Sequence, residues 1–332
     1  MRAVVITGHK GPSSLSVQQR PAPTPGAGEV LIDVAAAGVC FADLMATLGL
    51  YADAPKPPCV VGYEVAGTVA GLGDGVEEFA VGDLVVAGTQ FGGYAEQAVA
   101  AADSTIPIPS GLSFAEAAAI PVNYSTAYAA LIRYGALRPG ERVLIQAAAG
   151  GVGIAATQIA KAHGAEVWGT ASPSKHDAIR SFGVDHALDY TRSGWERDVP
   201  ELDIVMDAIG GASFRRSYEL LRGGGRLVCF GASGVVSGEK RNLIVAARTA
   251  LRMPRFNLIK QMGASKAVIG LNLLTLWKTK GSLTEFADPL LELLAAGAIQ
   301  PVVAESFPFD RAGDAHRYIA ERRNVGKVVL VP

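Results

Sequence analysis

The sequence predicts an α/β protein of two domains. One is a compact, mostly β domain assembled from both ends of the chain, and the other is a central domain built on a doubly wound parallel sheet. Three observations carry this expectation. The chain has 332 residues, 49% of them hydrophobic, enough for two buried cores. The N-terminal part reads as short strands bounded by Gly or Pro. From about Ser113 onward, strands and helix-like segments alternate, as a parallel sheet with crossover helices requires.

In the first part, Met1–Thr7, Glu29–Ala37, Tyr63–Ala70 and Asp83–Ala87 are rich in Val, Ile and Ala and read as strands. Pro21, Pro23 and Pro25 mark an extended connection without ladder donors. Gly71, Gly73 and Gly75 follow a strand but precede no helix, so they read as a surface hairpin. Ser113 and Glu116 form a capping-box pattern ahead of an Ala-rich helix, which Pro121 interrupts before Asn123–Tyr134 resumes it. Strands are then expected at Arg142–Ala147, Glu166–Thr170, His186–Asp189, Asp203–Ile209, Arg226–Gly231 and Ala267–Asn272. Their unbroken apolar runs suit a sheet covered on both faces. The closing segment, Pro301–Pro332, ends in the apolar strand GKVVLVP and is expected to return to the first domain, where an edge strand needs a partner. The resulting boundaries are 1–121 with 298–332 for the first domain and 122–297 for the second.

Composition narrows the function classes. The net charge of −1 shows no bias toward nucleic acid. Cys40, Cys59 and Cys229 form no paired framework, and the N-terminus lacks an apolar core of signal-peptide length, which together point to the cytoplasm. Val143–Ala160 carries no charge, but three glycines and Gln146, Thr157 and Gln158 divide it into strand, turn and helix rather than a membrane span. The stretch 240–284 holds nine Lys or Arg and no acid. A solvated basic face beside a dimer contact is the favoured reading, with a phosphate- or membrane-facing surface as the alternative.

The strongest motif is RVLIQAAAGGVGIAATQIAKAHGAEVWGTAS. A strand runs into Gly150, Gly151, Val152 and Gly153, a helix follows, and a second strand closes the unit. Glycines allow a diphosphate to approach the backbone, and the helix start offers free N–H groups. For any single glycine, a turn that needs φ > 0 is the competing explanation. The second strand ends at Ser172 with Lys175 beyond it, and no acid is present to bind ribose hydroxyls or repel a 2′-phosphate. Ser172 as a hydrogen-bond donor and Lys175 as a cation favour NADPH over NADH. Helix capping by Ser172 and a solvated Lys175 are compatible alternatives.

The AAAGGVG turn, GTASPSKHDAI and NYSTAY, together with VCFADLMATLGLY, DIVMDAIGG, KRNLIVAARTA and NVGKVVLVP, resemble the zinc-independent quinone oxidoreductases of the medium-chain dehydrogenase/reductase superfamily. Within that branch the chain resembles the vesicle amine transport protein homologues. The resemblance implies a GroES-like catalytic domain, a Rossmann-like NADPH-binding domain, a cleft between them and a homodimer paired through the edge of the nucleotide-binding sheet. It places Thr126, Phe230, Gly231, Leu271 and Asn272 near the nicotinamide, Tyr190 with Ser172 and Lys175 around the 2′-phosphate, and Asn324 over the cofactor.

Zinc relatives carry Gly-His-Glu where this chain has Gly62-Tyr63-Glu64, and a further cysteine near Asn123 that is absent here. Cys40 alone cannot hold a catalytic metal. Hydride transfer to a quinone or an α,β-unsaturated carbonyl remains possible, because the developing charge spreads onto an oxygen that hydrogen-bond donors can stabilise. The candidate catalytic residues are Tyr51, Cys40 and Asp43. Tyr51 is either a donor or an amphipathic rim residue. Cys40 is either a weak donor, reactive toward enones, or a small buried hydrophobe. Asp43 either orients its loop or caps a helix, and Tyr63, the third candidate donor, stands where the zinc relatives have a ligand and reads more as packing. A cofactor-binding interaction protein at a membrane surface is the alternative function.

NADPH is expected to bind at least about ten-fold tighter than NADH, and Lys175→Glu to reverse much of that preference, by titration of cofactor fluorescence. Equal affinity of the unaltered protein for both nucleotides would contradict the reading.

Overall fold

The computed structural model describes residues 1–236, 238 and 242–332. Lys240 and Arg241, which open the basic stretch, lie outside the described residues.

The N-terminal strands are β1 (Arg2–Ile6), β2 (Leu15–Gln19), β3 (Glu29–Val39), β4 (Glu64–Leu72), β5 (Leu84–Gly88), β6 (Gln97–Ala101) and β7 (Thr105–Pro107). The central strands are β8 (Arg142–Ile145), β9 (Glu166–Ala171), β10 (His186–Asp189), β11 (Leu202–Asp207), β12 (Leu221–Cys229) and β13 (Ala267–Gly270). The chain closes with β14 (Val303–Pro308) and β15 (Lys327–Val331). The helices include α1 (Phe41–Thr47), α2 (Phe114–Ala117), α3 (Pro121–Tyr128) and α4 (Gly151–Ala162).

β1 and β2 form a separate antiparallel pair. A larger sheet runs in the order β14-β15-β3-β4-β5-β7. β3 spans 11 residues, long enough to pair β6 along Glu29–Asp33 and β15 along Ala37–Val39. The C-terminal segment therefore does return to the N-terminal sheet, where Val328–Leu330 supplies the partner that the end of β3 needs.

The second sheet is entirely parallel, in the order β10-β9-β8-β11-β12-β13. This is the doubly wound order, and its direction reverses between β8 and β11. Alternate side chains explain why its strands read as continuous apolar runs. Val143, Ile145, Ile204, Met206 and Val228 face one core, which includes Ala155, Ala156 and Ile159 of α4. Leu144, Val205 and Leu227 face another, with Trp168 and Trp195.

Several boundaries differ from the sequence expectation. The capping box forms, with Ser113 Oγ accepting from Glu116 N and Glu116 Oε2 accepting from Ser113 N, but its helix lasts only four residues. Pro121 does not break a helix; it starts α3 at the first helical position, where a missing N–H costs nothing. α3 then continues as wider π turns over Ala129–Tyr134. β11 stops at Asp207 because the Asp207 carboxylate accepts from the Ile209 and Gly210 N–H groups and turns the chain. β13 stops at Gly270, ahead of Asn272, which caps the next helix through Thr275 N. Gly71 lies in β4, and Gly73 and Gly75 lie in the connection to antiparallel β5, with no helix after them.

Ile145 is fully buried in β8, near the middle of the parallel sheet. Ile145→Ala is expected to cost about 2–5 kcal/mol, seen as a lower urea midpoint with an unchanged slope.

Candidate functional site

A cleft of about 670 Å³ lies where the strand order of the parallel sheet reverses, beyond the ends of β8 and β11, and residues of both sheets line it. This size falls in the usual range of ligand sites, roughly 300–1,000 Å³. Its middle is the glycine turn between β8 and α4. Gly150, Gly151, Val152 and Gly153 all line the cleft, and no side chain caps Gly150 at the start of α4. The free N–H groups of this first turn, with the positive end of the helix dipole, suit an anionic diphosphate.

These glycines are not there for backbone conformation. None of Gly150, Gly151 and Gly153 has a positive φ, whereas Ala147 does, at 58°. Crowding is what requires them. A Cβ on Gly153 would lie 2.4 Å from Ala147 O, and one on Gly151 would lie 2.4 Å from Asn123 Nδ2. Glycine here lets α4 pack against its own turn and against α3. Thr170 steadies the same turn: its Oγ1 accepts from Ala147 N and donates to Gln146 Oε1 at 2.8 Å.

One end of the cleft holds Ser172, Lys175, Tyr190 and Asn324. Ser172 Oγ makes no capping bond and lies 3.4 Å from Ser174 Oγ. Lys175 is not simply solvated: Nζ donates to the carbonyls of Arg322 and Asn324, at 2.5 and 2.7 Å. Burial, and then the Arg322 cation, hold its ammonium below the ordinary lysine value. Arg322 also lines this end, with its guanidinium 6.0 Å from the Tyr190 ring centre. Asn324 Nδ2 donates to Gly326 O, and Gly326 N donates to Ala149 O, so the C-terminal loop is pinned against the glycine turn.

Thr126, Phe230, Gly231, Leu271 and Asn272 form the wall between the turn and the other end. Leu271 N donates to Cys229 O and fixes the segment beyond β13. Cys229 is itself half-buried on this wall, and burial pushes its thiol up to about 12.

The opposite end is apolar and carries Cys40, Tyr51 and Tyr63. Behind it lies a buried ion pair, Lys327 at the start of β15 with Glu64 at the start of β4. The two side chains meet over Gly38 of β3, where a Cβ would lie 2.5 Å from Glu64 Oε1 and 2.7 Å from Lys327 Cε. Glu64 also accepts from Val122 N at 2.7 Å and so holds the start of α3. Lys327 Nζ donates to Cys40 Sγ at 3.2 Å, and the Cys40 thiol points to Glu64 Oε1 at 3.6 Å. Burial works against the lysine's charge, but the Cys40 and Glu64 neighbours outweigh it and hold Lys327 protonated. Burial also pushes the Cys40 thiol well up, against the pull of Lys327. Burial and the contact with Glu64 thus disfavour the thiolate form of Cys40, whose side chain still lines the cleft.

Asp43 does not line the cleft. It is fully buried and accepts from Cys40 N, Gly62 N and the Tyr94 hydroxyl, so it orients the loop before α1. Burial raises it to about 6 despite these donors. Tyr51 is half-buried, with its ring edge-on to Tyr63 at 6.4 Å, and burial raises its phenol.

The alcohol dehydrogenase GroES-like domain family matches residues 26–110, and the zinc-binding dehydrogenase family matches 182–330. The rat synaptic vesicle membrane protein VAT-1 homolog is 38% identical over 340 residues, covering 100% of this chain and 84% of that protein. The chain belongs to the medium-chain dehydrogenase/reductase superfamily. Among solved members, the quinone oxidoreductase of Escherichia coli, complexed with NADPH, matches with a TM-score of 0.87 and 29% identity across 100% of both chains. The CurK enoyl reductase matches with a TM-score of 0.86 and 27% identity across 99% of both chains. This chain thus has a GroES-like domain joined to a Rossmann-like one.

The superfamily's zinc fits poorly here. Among the described residues, no three His, Cys, Asp or Glu side chains converge to hold a metal. The sulfur of Cys40 instead accepts from an ammonium, which would repel a divalent cation. Sequence reasoning missed Lys327, Glu64 and Arg322. The only signals were a lysine in GKVVL, an acid beside Tyr63 and a basic pair before Asn324, none of which shows its partner.

Lys327→Met is expected to cost about 3–5 kcal/mol by leaving Glu64 buried without its counter-ion, and Glu64→Gln with Lys327→Met to recover most of it. A thermodynamic cycle from urea unfolding checks both values.

Proposed function

We propose that the protein is an NADPH-dependent oxidoreductase that reduces quinones or α,β-unsaturated carbonyls by hydride transfer, without zinc. One observation carries this reading: a single cleft runs from two cations, past an uncapped helix start, to an apolar aromatic end. The NADPH complex of the similar E. coli quinone oxidoreductase and the similarity to an enoyl reductase support it.

In this reading, the amides of Gly150–Gly153 hold the diphosphate. Ser172, Lys175, Tyr190 and the additional Arg322 receive the 2′-phosphate. Thr126, Phe230, Gly231, Leu271 and Asn272 flank the nicotinamide, and Asn324 closes over the cofactor. Bound there, the reduced cofactor supplies a hydride. The chain excludes water with its apolar wall, and Asp43 positions the loop that presents the acceptor end. Tyr51 offers a phenol whose raised pKa keeps it protonated at neutral pH. Residues 1–121 with 298–332 act as the catalytic domain and 122–297 as the nucleotide-binding domain, in a cytoplasmic homodimer paired beside the edge strand β13.

A second reading has its own observation. Leu243, Ile244, Leu251, Leu258, Ile259 and Met262 are all more than half exposed, amid Arg248, Arg252, Arg255, Lys260 and Lys266. Such a face could meet a partner copy or an anionic membrane surface. No helix among the described residues is long and apolar enough to cross a membrane.

NADPH consumption with a panel of quinones and enones is expected to exceed the enzyme-free rate by orders of magnitude and to survive chelation of metals. Tight NADPH binding without turnover, together with co-sedimentation on anionic vesicles, would favour the second reading.

A further inference from the structure

We infer that Tyr63 is the hydrogen-bond donor to the carbonyl oxygen of the acceptor, and so a determinant of which conjugated carbonyls the cleft takes. The inference deepens the oxidoreductase reading and rests on it for the class of acceptor. Tyr63 stands on fixed backbone at the mouth of β4: Gly62 N donates to Asp43 Oδ1, and the Tyr63 carbonyl accepts from Thr89 N at 2.9 Å. Its ring packs edge-on to Tyr51 and lies 5.1 Å from Phe91.

The hydroxyl is what needs explaining. Tyr63 is only 6% exposed and packs in an apolar cluster with Cys40 and Leu274, against Ala42, Tyr51, Phe91 and Val122. Its Oη has no hydrogen-bond partner, although the residue lines the cleft. Buried hydroxyls are normally paired, and leaving one unpaired is costly. The other buried orphans among the described residues, Arg20 Nε and His316 Nδ1, belong to residues that do not line the cleft. A ligand oxygen would satisfy Tyr63 alone of the three.

The competing donors at this end are engaged. The Cys40 thiol points at Glu64, and Lys327 is held by Glu64 and Cys40. Tyr51 is the neighbouring phenol, near enough to share a hydrogen-bonding influence with the Tyr63 hydroxyl and with Asn272, so an acceptor oxygen competes with Tyr51 for the Tyr63 proton. Burial, followed by the nearby Asp43, pushes the Tyr63 phenol far above its ordinary value. It therefore donates a hydrogen bond without giving up its proton.

In the step this serves, the acceptor's β-carbon takes a hydride from the reduced nicotinamide. The alkene π pair shifts toward the carbonyl carbon, and the carbonyl π pair moves onto oxygen. The resulting enolate oxygen is held by the Tyr63 O–H, and a proton from water at the α-carbon completes the saturated ketone. The two electrons lost by the cofactor are those gained by the acceptor.

The test uses trans-4-(dimethylamino)cinnamaldehyde, an enal whose visible absorption moves to the red when its carbonyl accepts a hydrogen bond. With oxidised cofactor, which prevents turnover, wild type is expected to shift the band and Tyr63→Phe to leave it unshifted. Tyr63→Phe keeps the ring and its packing, so NADPH affinity stays the same while kcat for enone reduction falls about 100-fold. A full red shift with Tyr63→Phe, or none with wild type, overturns the inference. NADPH consumption by wild type is read separately. Its absence beside a Tyr63-dependent shift sinks the oxidoreductase reading and leaves the donor assignment, and normal turnover by Tyr63→Phe sinks the assignment alone.

Discussion

The buried pair of Lys327 and Glu64 joins parts of the molecule that nothing in the chain order brings together. Lys327 opens the last strand, Glu64 opens β4, and the backbone between them is reduced to Gly38 so that the side chains can meet. Through its other oxygen Glu64 holds the first turn of α3, so a single carboxylate ties the N-terminal sheet, the C-terminal strand and the helix leading into the parallel sheet. Taking two charges out of water is expensive, and an apolar pair of equal volume could be as stable. What the charges add is direction: an ammonium and a carboxylate with every neighbour specified allow one arrangement of the three elements.

The same pair sets the chemistry of the apolar end. Cys40 sits beside a permanent cation, which alone would favour a thiolate, yet burial dominates and the thiol turns to Glu64. This end of the cleft is braced from behind by the Lys327–Glu64 pair. The Tyr51 and Tyr63 phenols line the same end, and phenols with raised pKa values donate hydrogen bonds to developing oxyanions without competing as nucleophiles.

Much of the fold was legible because it rests on local patterns. The glycine turn in its strand–helix context, the Ser113–Glu116 box and the return of GKVVLVP to the first sheet all follow from spacing and from the demands of unpaired edges. Fifteen of the sixteen candidate site residues line one cleft, Asp43 being the exception because its carboxylate is consumed by three donors in the loop behind. Helix boundaries were less legible, since a proline that starts a helix and one that stops it look alike until the neighbouring turn is known. Lys327–Glu64 was invisible because its partners are more than two hundred residues apart, and Lys175 read as a free cation because its backbone acceptors at Arg322 and Asn324 come from the far end of the chain.

Those two acceptors have a consequence for the protein's breathing. The loop that leads into β15 is stitched to the Rossmann-like half by the Lys175 ammonium and by the Gly326–Ala149 bond. Any molecule that settles against this seam adds its own free energy to keeping the tail of the polypeptide in register. Occupancy of the cleft and resistance of the C-terminus to fraying, proteases and amide exchange are therefore one linked equilibrium.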